Sequence, residues 1–90
     1  MKMINILKIK LQVFMKIDNK KIENIVKKIF RINKVKNLNN LKIGSLKNWD
    51  SLGNFNLLLE IEKEFKIKFS NTDFTFIKSI KELKEILKKY

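Results

Sequence analysis

The residue whose setting most invites chemistry is Ser51. It lies in the run Asn48 to Phe69, NWDSLGNFNLLLEIEKEFKIKF, between Asp50 and Leu52 and directly ahead of an apolar stretch. A hydroxyl at a helix start is open to a transferase. An anionic group placed on it would lie beside unpaired amides and the positive end of the helix dipole, worth roughly 0.3–1 kcal/mol at a surface. Nothing here lets the serine activate itself. Cysteine and histidine are absent, which removes thiolate sites, the usual neutral-pH general base and the commonest metal ligand. No lysine stands at the spacing a base needs. Neither an acid–base pair nor metal-ligand spacing can be assembled, so the chain is read as a non-enzyme without catalytic or metal-binding residues. Any chemistry at Ser51 must come from another protein. The plain alternative is an ordinary helix-start serine, since serine favours helix termini on its own account.

The elements that would position this hydroxyl follow from periodicity. Proline is absent and glycine appears only twice, which favours helices over a turn-rich β fold. Residues 19–32 predict a helix: Ile22, Ile25, Val26, Ile29 and Phe30 share one face opposite Lys20, Lys21, Lys27 and Lys28, with Asp18 or Asn19 as the cap. Residues 33–49 predict a long connection punctuated by asparagines and Gly44, with Val35, Leu38, Leu41, Ile43 and Leu46 to pin it to a core. Residues 51–65 predict the strongest helix, with Asp50 at its N-cap end. Its expected stripe is Leu52, Phe55, Leu58, Leu59, Ile61, Glu62 and Phe65. Ser70 to Asp73 and Ser79 to Glu82 both read as capping boxes. The first opens a short turn through Phe74, Phe76 and Ile77. The second opens a last helix with Leu83, Ile86, Leu87 and Tyr90 on one face.

The expected fold is therefore all-α, a small four-helix bundle of three longer helices plus a short third, with a long first loop. It spans residues 18–90. Residues 1–17 form an unassigned extension: Leu7, Ile9, Leu11 and Val13 fit a strand period, while Ile4, Leu7, Leu11 and Phe14 fit a helical stripe. The longest apolar run is three residues, far below the roughly 20 that span a bilayer. A cytoplasmic monomer without a signal peptide or transmembrane segment is expected.

The window from Asn48 to Phe69 resembles an acyl carrier protein. In that family an Asp-Ser-Leu triplet opens the second helix and its serine carries 4′-phosphopantetheine. The helix then runs through apolar residues and acids to a phenylalanine. The matching residues are Asp50-Ser51-Leu52 and then Leu57-Leu58-Leu59-Glu60-Ile61-Glu62-Lys63-Glu64-Phe65, with Trp49 and Gly53 similar to freestanding carriers of specialised pathways. Helix order, long first loop and short third helix extend the resemblance over residues 18–90. It implies a phosphopantetheinyl transferase that uses coenzyme A and Mg²⁺, with Ser51 attacking the coenzyme A pyrophosphate. It also implies a thioester-bound acyl, aminoacyl or D-alanyl cargo shared with loading and acyl-using enzymes.

On the same resemblance Leu58, Leu59, Ile61 and Phe65 are candidates to line an acyl pocket, or else plain core. Glu60, Glu62 and Glu64 are candidates to meet a partner's basic patch, or else a solvated face. Trp49 is expected to anchor the loop to the bundle. Gly53 and Asn56 stand where the family usually has acids, and Lys63 interrupts the later run, which implies dedicated partners rather than general fatty-acid synthesis.

Charge raises a second reading. The net charge is +12, and residues 1–47 hold 13 basic and 2 acidic side chains. That segment would suit a small basic helical domain binding nucleic acid or anionic membrane. Lysine, isoleucine and asparagine fill half the chain, however, as A/T-rich coding alone would produce. The clearest helix is the acidic island of residues 48–65, so nucleic-acid binding is not the expected role.

Overall fold

A computed structural model describes residues 18–90. Four α-helices follow in order: α1 Asn19–Phe30, α2 Ser51–Phe65, α3 Asn71–Phe76 and α4 Ile80–Leu87, with a 3-10 turn at Leu38–Asn40 in the first connection. The described chain is an all-helical bundle with a short third helix and a long first loop, as composition and periodicity predict. The two readings of residues 1–17 lie outside the described residues. None of the described helices is long and apolar enough to cross a membrane.

Each helix begins where a side chain can take its free amides. Asp18 accepts from Lys20 N–H, Asp50 from Gly53 N–H, Ser70 from Asp73 N–H and Ser79 from Glu82 N–H. The two capping boxes close differently from the expected pattern. Glu82 accepts from Lys78 N–H rather than from the cap residue, and Ser70 N–H donates to the Tyr90 hydroxyl, 2.9 Å away. The end of α1 differs from the expected one. α1 stops at Phe30, two residues short of the predicted end, because Arg31 turns into the left-handed region at φ 55°. Lys66 ends α2 the same way.

The core joins Ile22, Ile25, Val26 and Phe30 of α1 to Leu57, Leu58, Ile61 and Phe65 of α2 and Ile80, Leu83, Ile86 and Leu87 of α4. Ile22, Val26, Leu58, Ile61, Ile80 and Leu83 are fully buried, each worth about 1.5–3 kcal/mol relative to exposure. The Lys28–Glu60 pair between α1 and α2, at 2.8 Å, adds little, because solvent screens an exposed pair. Apolar packing decides the fold. All five loop residues expected to pin the first connection are partly buried against the core. Its far end is fixed by an antiparallel bridge between Lys42 and Ser79.

The predicted stripe of α2 needs correction. Leu57 and Asn54 turn inward, whereas Leu52, Phe55 and Leu59 are 68%, 49% and 44% exposed. Glu62 is half-buried because its carboxylate accepts from Phe69 N–H at 2.7 Å.

α3 is too short to persist alone and is held by Asp73. That buried carboxylate accepts from the Tyr90 hydroxyl at 2.7 Å and from the Lys89 amine at 3.0 Å. Tyr90 lies beyond the end of α4 and packs edge-on against Phe69, with ring centroids 5.3 Å apart. The Tyr90 hydrogen bond, followed by the Lys89 one, holds the Asp73 carboxyl below its ordinary value. A carboxylate whose folded pKa is depressed stabilises the fold above its unfolded pKa, near about 3.9, and that contribution is lost as pH falls through the lower folded value. Asp73→Asn is therefore expected to flatten the fall in stability below about pH 4, measured by denaturant unfolding from pH 2 to 7. An unchanged acid limb in the variant would contradict this assignment.

Candidate functional site

The approach to Ser51 is built by the loop before it. Gly44, at φ 93°, makes a turn that a side chain would strain, and its N–H donates to the Trp49 carbonyl at 2.8 Å. Trp49 N–H in turn donates to the Leu46 carbonyl at 3.0 Å. The Trp49 ring is 1% exposed and stacks on Phe30 with centroids 4.7 Å apart. Its role as loop anchor, expected from sequence, is what the packing shows.

The next residue sets the helix start. Asp50 is extended, and its carboxylate accepts from Gly53 N–H at 2.8 Å. Its carbonyl takes the first helical bond, from Asn54 N–H at 2.8 Å. Ser51 is then the first residue of α2, exposed, with its own amide and that of Leu52 at the open end of the helix. A shallow groove of about 270 Å³ lies alongside, bordered by Ile29, Asn48, Asp50, Leu52 and Asn56.

The hydroxyls divide clearly. Ser45, Ser70 and Ser79 each accept a backbone N–H at 3.0–3.1 Å. Among the described residues no hydrogen bond engages the Ser51 hydroxyl. Of the four serines in the chain, Ser51 alone is spared a capping or turn-closing task.

The other candidates are dispersed. Leu58 and Ile61 are sealed in the core and Phe65 is nearly so, while Leu59 faces outward. These residues do not line one space. Leu59 instead borders a surface groove of about 250 Å³ with Phe55, Phe69 and Phe74. There Phe55 and Phe74 meet edge-on at 5.2 Å. The three acids are not one patch either. Glu60 is tied to Lys28, whose hydrogen bond lowers its pKa, Glu62 is spent on Phe69 N–H, and Glu64 is exposed.

Asn54 escaped the sequence reading. Its side-chain carbonyl accepts from Trp49 Nε1–H at 3.0 Å and its amide donates to the Ile77 carbonyl at 2.8 Å, all of it buried. One side chain thus ties the pre-helix loop, α2 and the α3–α4 junction together. Asn54→Leu keeps a similar volume but leaves two buried polar groups unpartnered, at about 1–3 kcal/mol each. A loss of roughly 3 kcal/mol is expected in urea unfolding. Trp49→Phe should cost less in that variant than in the parent, because the indole N–H has already lost its acceptor. Additive effects would refute the shared network.

No protein-family model, curated protein or solved structure matches the chain.

Proposed function

We propose that the chain is a carrier protein that holds acyl or aminoacyl groups as thioesters on a 4′-phosphopantetheine arm attached to Ser51. The observation that carries this reading is the state of that hydroxyl: exposed, first in a 15-residue helix, and relieved of capping by Asp50.

The local chemistry fits the group. Attack by the Ser51 oxygen on the coenzyme A pyrophosphate forms an oxygen–phosphorus bond and breaks the pyrophosphate link. The adenosine-bearing phosphate leaves, and the serine proton passes to a base on the transferase. The resulting phosphodiester sits against the open amides of Ser51 and Leu52, where the helix dipole favours its charge. Asp50 holds the backbone at the helix start from which the hydroxyl projects. When bound, the arm supplies a terminal thiol, a group this cysteine-free chain lacks. The outer face of α2 beside it, with Leu52, Phe55 and Leu59 exposed, gives partner enzymes apolar rather than acidic contacts, in keeping with a dedicated partner set.

The test is direct. The purified chain is incubated with coenzyme A, Mg²⁺ and a broad-specificity phosphopantetheinyl transferase, and its intact mass is measured. A gain of one phosphopantetheine unit per chain is expected. A folded chain that gains none would overturn the reading. If it instead bound nucleic acid or anionic vesicles tightly, with a steep loss between low and physiological salt, the basic-domain reading through residues 1–47 would replace it.

A further inference from the structure

A second concavity shares no lining residue with the groove beside Ser51. It is a cleft of about 390 Å³ between the 3-10 turn, the first turns of α1 and the middle of α4. Its walls are fixed. Ile43 N–H donates to the Lys78 carbonyl at 3.0 Å and Ile80 N–H to the Leu41 carbonyl at 2.9 Å, tying the loop to the start of α4. Within the loop wall, Asn40 N–H donates to Asn37 and Leu41 N–H to Leu38.

Lys84 is the informative residue. It is half-buried, lines the cleft and donates its amine to the Asn39 side-chain carbonyl. Burial lowers its pKa. Among the described residues no carboxylate pairs with it. The one carboxylate on the lining, Glu23, stands 3.6 Å from Lys27. A partly desolvated ammonium without a counter-charge is costly, and an oxyanion relieves that cost where a neutral ligand does not. The rest of the lining agrees in sign: Lys36 brings a second amine, and Asn19, Asn37 and Asn40 bring amide donors. Two cations with several donors suit a phosphate, with its three or more acceptor oxygens and up to two charges, better than a carboxylate. The cleft is also of a size that takes a small organic molecule rather than a bare ion.

We propose that this cleft binds a small phosphomonoester, with Lys84 as its central cation and Lys36 and the asparagine amides completing the shell. The site is independent of the carrier reading. Its test is amide and lysine side-chain NMR of the intact chain, titrated with glycerol 3-phosphate, with inorganic phosphate and with glycerol. Saturable shifts confined to the Val35–Asn40 turn and Lys84 are expected with glycerol 3-phosphate, and none with glycerol. Weaker binding of inorganic phosphate would show that the organic part contributes. The Lys84 amine should titrate at higher pH in the bound state. Lys84→Gln should weaken binding about tenfold or more, and Lys81→Gln should leave it unchanged. Shifts spread over the exposed lysines, or equal affinity in Lys84→Gln, would overturn the proposal. The wild-type lysine titration decides even if that variant fails to fold.

Discussion

Replacing Ser51 by alanine is expected to abolish the phosphopantetheine adduct completely while moving the unfolding free energy by no more than about 0.5 kcal/mol. The two halves of this result have separate causes. On the proposed carrier reading the hydroxyl is the acceptor, so its removal leaves nothing to modify. Stability is spared because Asp50, not Ser51, takes the Gly53 amide, and because among the described residues the exposed hydroxyl holds no bond that its loss would break. Asp50→Ala should do the reverse, costing about 1 kcal/mol through the lost cap and reducing rather than removing modification. Intact mass and urea unfolding on the same samples separate the two. An adduct that persists in Ser51→Ala would move the acceptor elsewhere. Ser45, Ser70 and Ser79 are poor alternatives, since each hydroxyl oxygen already accepts an amide hydrogen.

How much of this was legible beforehand differs from element to element. The face of α1 reads correctly because its apolar residues share one side: Ile22, Ile25, Val26 and Phe30 are buried, while Lys20, Lys21 and Lys28 are exposed. The caps were visible too, since a serine or aspartate ahead of an apolar run has a local task. α2 is the reverse case. Apolar residues lie on nearly every side of it, so periodicity cannot choose among faces. The choice falls to Asn54, whose inward placement depends on Trp49 and on Ile77, 23 residues away. A buried asparagine declares neither partner in sequence. Arg31 ended α1 where no glycine signalled a stop. The exposed place of Ser51 at the start of α2 was legible. The dispersal of Leu58, Leu59, Ile61 and Phe65 was not, because helical spacing separates core from surface only when one face is polar.

Gly53→Ala tests how tightly the start of α2 is seated. In an exposed helix interior this change would stabilise by about 1 kcal/mol. Here the added methyl carbon would stand 2.1 Å from the Asn48 carbonyl oxygen and 3.0 Å from Phe30 Cε1. The first contact is with backbone and cannot be relieved by a rotamer change, so the helix or the loop must move. Overpacking of this kind costs about 1–3 kcal/mol, and a clash with a backbone carbonyl belongs at the upper end. The displaced carbonyl immediately precedes Trp49, so the shift would disturb the Phe30 stack and the Asn54 hydrogen bond as well. The net expectation is a loss of about 3 kcal/mol, a large share of the roughly 5–15 kcal/mol that a domain commands. Trp49 is the only tryptophan, so its fluorescence follows the urea transition at the affected point. The midpoint should fall with little change in slope. Transferase modification should slow even where the protein remains folded, because the same movement re-aims Ser51. A variant more stable than the parent would mean that ordinary helix propensity governs this position, and that the close approach of Asn48 is absent in solution.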